Sequence, residues 1–286
     1  MQPELFTNLP PAQIPNVTAY HDESGHVGKD QRFLFHGVLF VPRDKSDAVL
    51  KALRHARGRH TGSIHYTDLQ DRDRDKSEAA RAWMDTYGKA LSGLCCYKCF
   101  IVDMDSPTFD RSHYTENYHI YNHFAATAIW SGLRWSYIDT RTLRMQIVSE
   151  EMSRKPEDNF VSYVPTQLSN KASGTMELIF ENPALITVSG DPSMVSTDYQ
   201  HHCEFLQLTD LLTSSIAEAV QAKANRTIKQ DLAQQIGQWI ADTREMPWLQ
   251  ERDLHRRFSV SCYPNENGGF YDIDLAIKKR QQDALL

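Results

Sequence analysis

The sequence predicts an α/β protein in which a mixed β-sheet is flanked by helices, and three observations carry that prediction. A strand-turn-strand hairpin opens the chain, strand-like and helix-like periodicities alternate after it, and one internal strand is apolar almost throughout, as a central strand is. With 286 residues, 41% of them apolar, the chain can bury one sizeable core.

The elements follow in order. Residues 1–15 carry four prolines (Pro3, Pro10, Pro11 and Pro15) and read as a surface tail. Residues 17–22 alternate as a strand does, 23–28 supply turn chemistry, and 32–41 form the second strand. Helical spacing then appears over 44–57, with Val49, Leu50 and Leu53 on one face, and again over 77–94, with Ala80, Trp83, Met84, Tyr87 and Leu91. Residues 96–104 are the central strand, and 116–137 form a helix apolar almost all round. A strand over 143–148 ends on Ser149-Glu150-Glu151. Residues 154–175, with Pro156, Pro165, Ser169, Asn170 and Gly174, read as a long loop or insertion. A strand over 184–188, a strongly apolar helix over 203–222, an amphipathic helix on Ile228, Leu232, Ile236 and Ile240, and a last strand over 258–263 complete the series. Nothing splits the chain, so 16–286 is read as a single α/β domain.

Charge and motifs exclude several functions. Lys and Arg number 31 against 37 Asp and Glu, a net charge of −6, which is a poor generic grip on a phosphate backbone. No Walker loop, dinucleotide-binding glycine fingerprint or GxSxG elbow is present. The N-terminus has no basic segment followed by an apolar run and does not read as a signal peptide. The longest apolar stretch, 33–41, is half a membrane span at most. A cytoplasmic protein is therefore expected, with no membrane partner. Five cysteines, three of them in Cys95-Cys-Tyr-Lys-Cys99, read as small buried thiols rather than a disulfide scaffold.

Three groups of acids stand where a solvated charge is not expected. Asp22-Glu23 end the first strand and Glu150-Glu151 follow the apolar strand 143–148. Asp210 lies on the helix 203–222, in a narrow stripe with Cys203, Gln207 and Ser214 between apolar flanks. A carboxylate there needs a donor, a proton or a metal. Brought together, such carboxylates repel one another unless hard cations such as Mg2+ or Mn2+ neutralise them, and two such ions are suited to phosphodiester hydrolysis. His65, after a short turn, is a candidate proton donor or phosphate contact, and equally a structural hydrogen-bonding group. Arg54, Arg57 and Arg59 cluster just before it as a candidate phosphate-binding rim.

A family resemblance appears at these residues. Tyr20-His-Asp-Glu-Ser-Gly25, then Phe33 and Gly37-Val-Leu-Phe-Val41, then Ile64-His65, then Leu206-Gln-Leu-Thr-Asp-Leu-Leu212, in that order, resemble the domain of unknown function family 3800. The family's Asp-Glu and Gln-x-x-Asp pieces fall on Asp22-Glu23 and Gln207-x-x-Asp210. The resemblance covers about 17–222 and implies a ribonuclease H-like fold, here with added helices and a C-terminal extension over 223–286. It also implies carboxylates on the first strand, after a central strand and on a late helix, which Asp22, Glu150 (or Glu151) and Asp210 fill. An Asp is expected in the middle position, where this chain has adjacent glutamates.

The expectation is a Mg2+- or Mn2+-dependent nuclease or related phosphodiester hydrolase. Asp22, Glu150 or Glu151, and Asp210 would hold the metal, Glu23 and Gln207 would support them or join as ligands, and His65 would assist. Two alternatives stand beside it: a non-catalytic ribonuclease H-like module in a larger, defence-associated complex, and a phosphoesterase acting on a small nucleotide. DNA, RNA or a nucleotide is the expected partner, with protein partners or a homodimer compatible with the sequence.

Overall fold

In the computed structural model, which describes residues 14–25, 27, 31–245 and 257–270, the opening hairpin is β1 (Asn16–Ser24) and β2 (Phe33–Pro42), antiparallel with Val17 opposite Pro42 and Ser24 opposite Phe35. β3 (Cys96–Asp103) continues the antiparallel run beside β2. On the other side of β1 lie β4 (Thr142–Glu150) and then β5 (Glu177–Val188), both parallel to it. β6 (Phe258–Tyr263) pairs in parallel with β3, so the order across the six-stranded sheet is β5-β4-β1-β2-β3-β6. The predicted tail lies outside the described residues except for Ile14 and Pro15.

Strand alternation sorts the side chains of β1 and β2 into two cores. Tyr20, Phe35, Leu39 and Val41 face α1 (Ser46–Ala56), α2 (Arg74–Lys89), α5 (Gln200–Gln221) and α6 (Thr227–Glu245). Val17, Ala19, Leu34, Val38 and Phe40 face α3 (Asn117–Ser136) and α4 (Phe160–Ala172). The protein is thus an α/β sandwich, a mixed sheet covered by helices on both faces. Of the C-terminal segment, β6 extends the sheet and α6 packs against α5 through Ile228, Leu232, Ile236 and Ile240.

The segment 154–175, read as a loop, contains α4. Phe160, Val164, Leu168 and Ala172 recur every four residues and bury one stripe against α3 and β5. The helix tolerates Pro165 inside it; the amide missing there would have bonded the carbonyl of Val161, a residue 50% exposed and on the wet side of the helix.

α5 lies across β1 and β2, buried on nearly every side, and one glycine permits that approach. A Cβ on Gly37 would stand 1.8 Å from Thr213 Oγ1 and 2.6 Å from the Tyr97 hydroxyl, two groups that bond each other at 2.9 Å. Gly37→Ala is therefore expected to lower stability by about 2–3 kcal/mol through overpacking. Urea unfolding followed by tryptophan fluorescence measures this; an unchanged midpoint would show that α5 can lift without loss.

Candidate active site

Period-two alternation on β1 sends Tyr20 and Asp22 to the α5 face and His21 and Glu23 to the other. Tyr20 anchors its side by stacking on Phe205 at 4.6 Å and meeting His202 Nδ1 at 3.0 Å through its hydroxyl. The parallel register of β1 with β4 sets Tyr20 beside Val148 and His21 beside Ser149, which brings Asp22 and Glu150 next in line on the same face. Their carboxyls are hydrogen-bonded to each other. Asp210 descends from α5 toward them, 8% exposed. Its Oδ2 accepts the Tyr66 amide at 2.8 Å and its Oδ1 accepts the Ser214 hydroxyl at 3.0 Å.

His65 completes the group, with Nδ1 3.6 Å from Asp210 Oδ2 and 3.9 Å from Glu150 Oε1. Asp210 foremost, and then Glu150, raise its pKa against the opposing effect of burial, so the imidazolium is favoured more than in a free histidine. Burial raises the pKa of Asp22 well above its ordinary value, and the charges of Asp210, Glu150 and Glu23 add to the rise. Glu150 is raised too, by burial and then by Asp210. The acids are thus held together by a shared proton and a histidine, in a pocket that resists a full set of negative charges.

The remaining predicted residues separate. Glu23 lies on the opposite face beside Arg154; burial pushes it up to about 7 against the pull of that arginine. Its neighbour His21, 3.9 Å away, is held neutral by burial, pushed down to about 3, so the two do not form an ion pair. Glu151 is exposed and turns toward a groove with Val161, Ile186, Met194 and Tyr199, away from the acid cluster. Arg54 is taken up by Glu204 at 2.8 Å. Arg57 lies 4.0 Å from the same carboxylate, donates to the Gly62 carbonyl and stacks over Trp83. Arg59 is exposed and lines, with Arg57, His60 and Arg74, a cavity of about 530 Å³ that also holds Asp75 and Glu78.

Two features of the site escaped the sequence reading. Arg154, paired with Asp158 at 3.0 Å in the loop before α4, lowers the pKa of Glu23 through its charge, and Gly190 lets the loop after β5 pass against the site. A Cβ on Gly190 would stand 2.6 Å from His65 Cε1 and 2.8 Å from Glu150 Oε1. Both are ends of side chains that can move, so Gly190→Ala is expected to fold normally while displacing His65 and Glu150. A misplacement on that scale costs a reaction about 10²-fold. Unchanged turnover in a normally folded Gly190→Ala protein would show that the placement of these two groups is unimportant.

The oxygen donors of Asp22, Glu150 and Asp210 suit a hard cation, and a cation would relieve the repulsion that raises the first two. Among the described residues, no group of three or more His, Cys, Asp or Glu stands at metal-holding spacing.

No family model and no curated protein sequence matches the chain. Among solved structures, it is similar to the ribonuclease H2 from Pyrococcus horikoshii OT3, at 12% identity over 84% of this chain and 98% of that one, with a TM-score of 0.38. A likeness at that level transfers no residue role.

Proposed function

We propose that the chain is a divalent-metal-dependent hydrolase of phosphodiester bonds, acting on nucleic acid. The observation that carries this reading is the convergence of Asp22, Glu150 and Asp210, from the end of β1, the end of β4 and the middle of α5, with His65 wedged between two of them. The resemblance to the domain of unknown function family 3800 points the same way.

Asp22, Glu150 and Asp210 would hold Mg2+ or Mn2+, with the Asp22–Glu150 proton lost as the cation enters. The metal, when bound, supplies an activated water and charge stabilisation at the phosphate. His65, whose imidazolium its two acidic neighbours favour, would donate a proton to the leaving oxygen. Tyr66 and Ser214 fix the Asp210 carboxylate through its two oxygens, so it needs no reorganisation during the reaction. The net charge of −6 weighs against tight nonspecific binding to long polymers, and a cation in the acid cluster would reverse the local sign where the phosphate sits.

Calorimetric titration of the purified protein with Mn2+, followed by a panel of DNA, RNA and nucleotide substrates, tests the reading. Binding heat together with Mn2+-dependent cleavage of a nucleic acid is the expected result. Neither heat nor a thermal shift would leave a non-catalytic module. Cleavage confined to nucleotides, without salt-sensitive binding to DNA or RNA, would make it a small-molecule phosphoesterase.

A further inference from the structure

We infer that Gln207 is a positioning residue and not a metal ligand: with Asp210 it forms a two-acceptor rail on α5 on which the segment Ile64–Tyr66 docks, fixing His65 between Glu150 and Asp210. The duty this gives His65 rests on the hydrolase reading above. The docking itself does not.

The spacing explains the rail. Side chains three apart on a helix stand about 5–6 Å from each other on one face. In an extended segment, alternate amides point to the same side and lie about 6.6 Å apart. Residues 64–66 are extended at His65, with φ −94° and ψ 136°, so the amides of Ile64 and Tyr66 match Gln207 and Asp210. Ile64 donates to Gln207 Oε1 at 3.0 Å and Tyr66 to Asp210 Oδ2 at 2.8 Å. Ile64 itself is fully buried in the core beneath and Tyr66 nearly so, which anchors both sides of His65.

Gln207 also reaches the second loop, donating from Nε2 to the Gly190 carbonyl at 2.6 Å. Gly190 is the residue packed against the His65 ring and the Glu150 carboxyl. One side chain therefore holds both walls of the slot in which His65 sits. An amide is suited to this because it accepts through one atom and donates through the other; neither a carboxylate nor an alkyl chain does both. Gln207 is 1% exposed, and both ends of its amide are committed to backbone groups of the two loops.

The test uses the full chain carrying Gln207→Met, close in size with neither acceptor nor donor, and Gln207→Glu, which retains the oxygen that Ile64 needs. Amide hydrogen exchange read by peptide mass is the first measurement. Gln207→Met is expected to speed exchange about 5–10-fold in the peptides covering 64–66 and 189–191, with the rest of α5 unchanged; Gln207→Glu should restore protection at 64–66. Mn2+ affinity by calorimetry should stay within about 2-fold of wild type, and kcat should fall about 10–10²-fold at nearly constant KM. Exchange that is unchanged at 64–66, or raised uniformly through α5, overturns the docking, and this holds whether or not the protein binds a cation. Localised loosening accompanied by a tenfold loss of Mn2+ affinity overturns the claim that Gln207 is no ligand.

Discussion

Asp22→Asn and Asp210→Asn are each expected to lower Mn2+-dependent phosphodiester cleavage by about 10³-fold or more while leaving the protein folded. Each removes one of three carboxyls that converge from separate elements, and neither glutamate adjacent to them in sequence can replace it. Glu23 is on the far face of β1 and Glu151 is turned into the outer groove. Asp22→Asn is the cleaner variant, because an amide can still bond the Glu150 carboxyl in the same place. In Asp210→Asn the oxygen can still accept the Tyr66 amide, but the Ser214 hydroxyl must turn from donating to accepting from the new NH2. Glu151→Gln is the internal control and should retain wild-type turnover. Steady-state cleavage assays with circular dichroism on the same samples decide the matter. Wild-type turnover in a folded Asp22→Asn protein would remove the acid cluster from the reaction, and a large loss in Glu151→Gln would mean that the wrong glutamate has been assigned.

The sequence makes some of this site legible because short-range periodicity determines it. Strict alternation along Tyr20-His21-Asp22-Glu23 fixes which side chains share a face, and the stripe on the apolar helix marks Asp210. The choice between Glu150 and Glu151 could not be made that way. It depends on the register of β4 against β1, a pairing of residues 128 apart in the chain, which sets Val148 beside Tyr20 and so places Glu150 on the face of Asp22. The arginine rim is qualified by a similar long-range effect: Glu204, 150 residues after Arg54, takes up that side chain and stands near Arg57. α4 was hidden because Pro165, Ser169, Asn170 and Gly174 mimic a loop, although Phe160, Val164, Leu168 and Ala172 already carried the four-residue spacing of a helix. Gly190 had no local signal at all, since what its hydrogen clears belongs to β4 and the turn before α2.

In metal-free buffer, stability is expected to rise as pH falls from 8 toward 6.5, to stay nearly level down to about 4.5, and then to drop steeply. The sign follows from which state binds more protons. Asp22, Glu23 and Glu150 have folded pKa values above their unfolded ones, Glu23 at about 7, so the folded state takes up protons first and gains stability as pH falls through that window. The histidines behind β1 act oppositely. Burial pushes His21 down to about 3 and His36 well below its ordinary value, and the two are bonded to each other at 3.1 Å. Below about 6.5 the unfolded chain protonates them and the folded protein does not, a loss of about 1.4 kcal/mol per pH unit for each. Between 6.5 and 4.5 the three acids oppose these two histidines and His202, which burial pushes down to about 3 as well, and the two sets offset each other. Below 4.5 the unfolded forms of these three acids take protons as well and their contribution flattens, while the buried histidines and the carboxyls held below their ordinary range, such as Asp71 and Asp191, set the falling slope. The double variant Asp22→Asn/Glu23→Gln should therefore be more stable than wild type at pH 8 by about 1–3 kcal/mol and should begin to lose stability near pH 6.5. Urea unfolding across pH 4–8 measures both. A double variant weaker at pH 8, or one with the wild-type plateau, would mean that the acids carry no stored repulsion; a wild type already falling below 6.5 would mean that the histidines outweigh them.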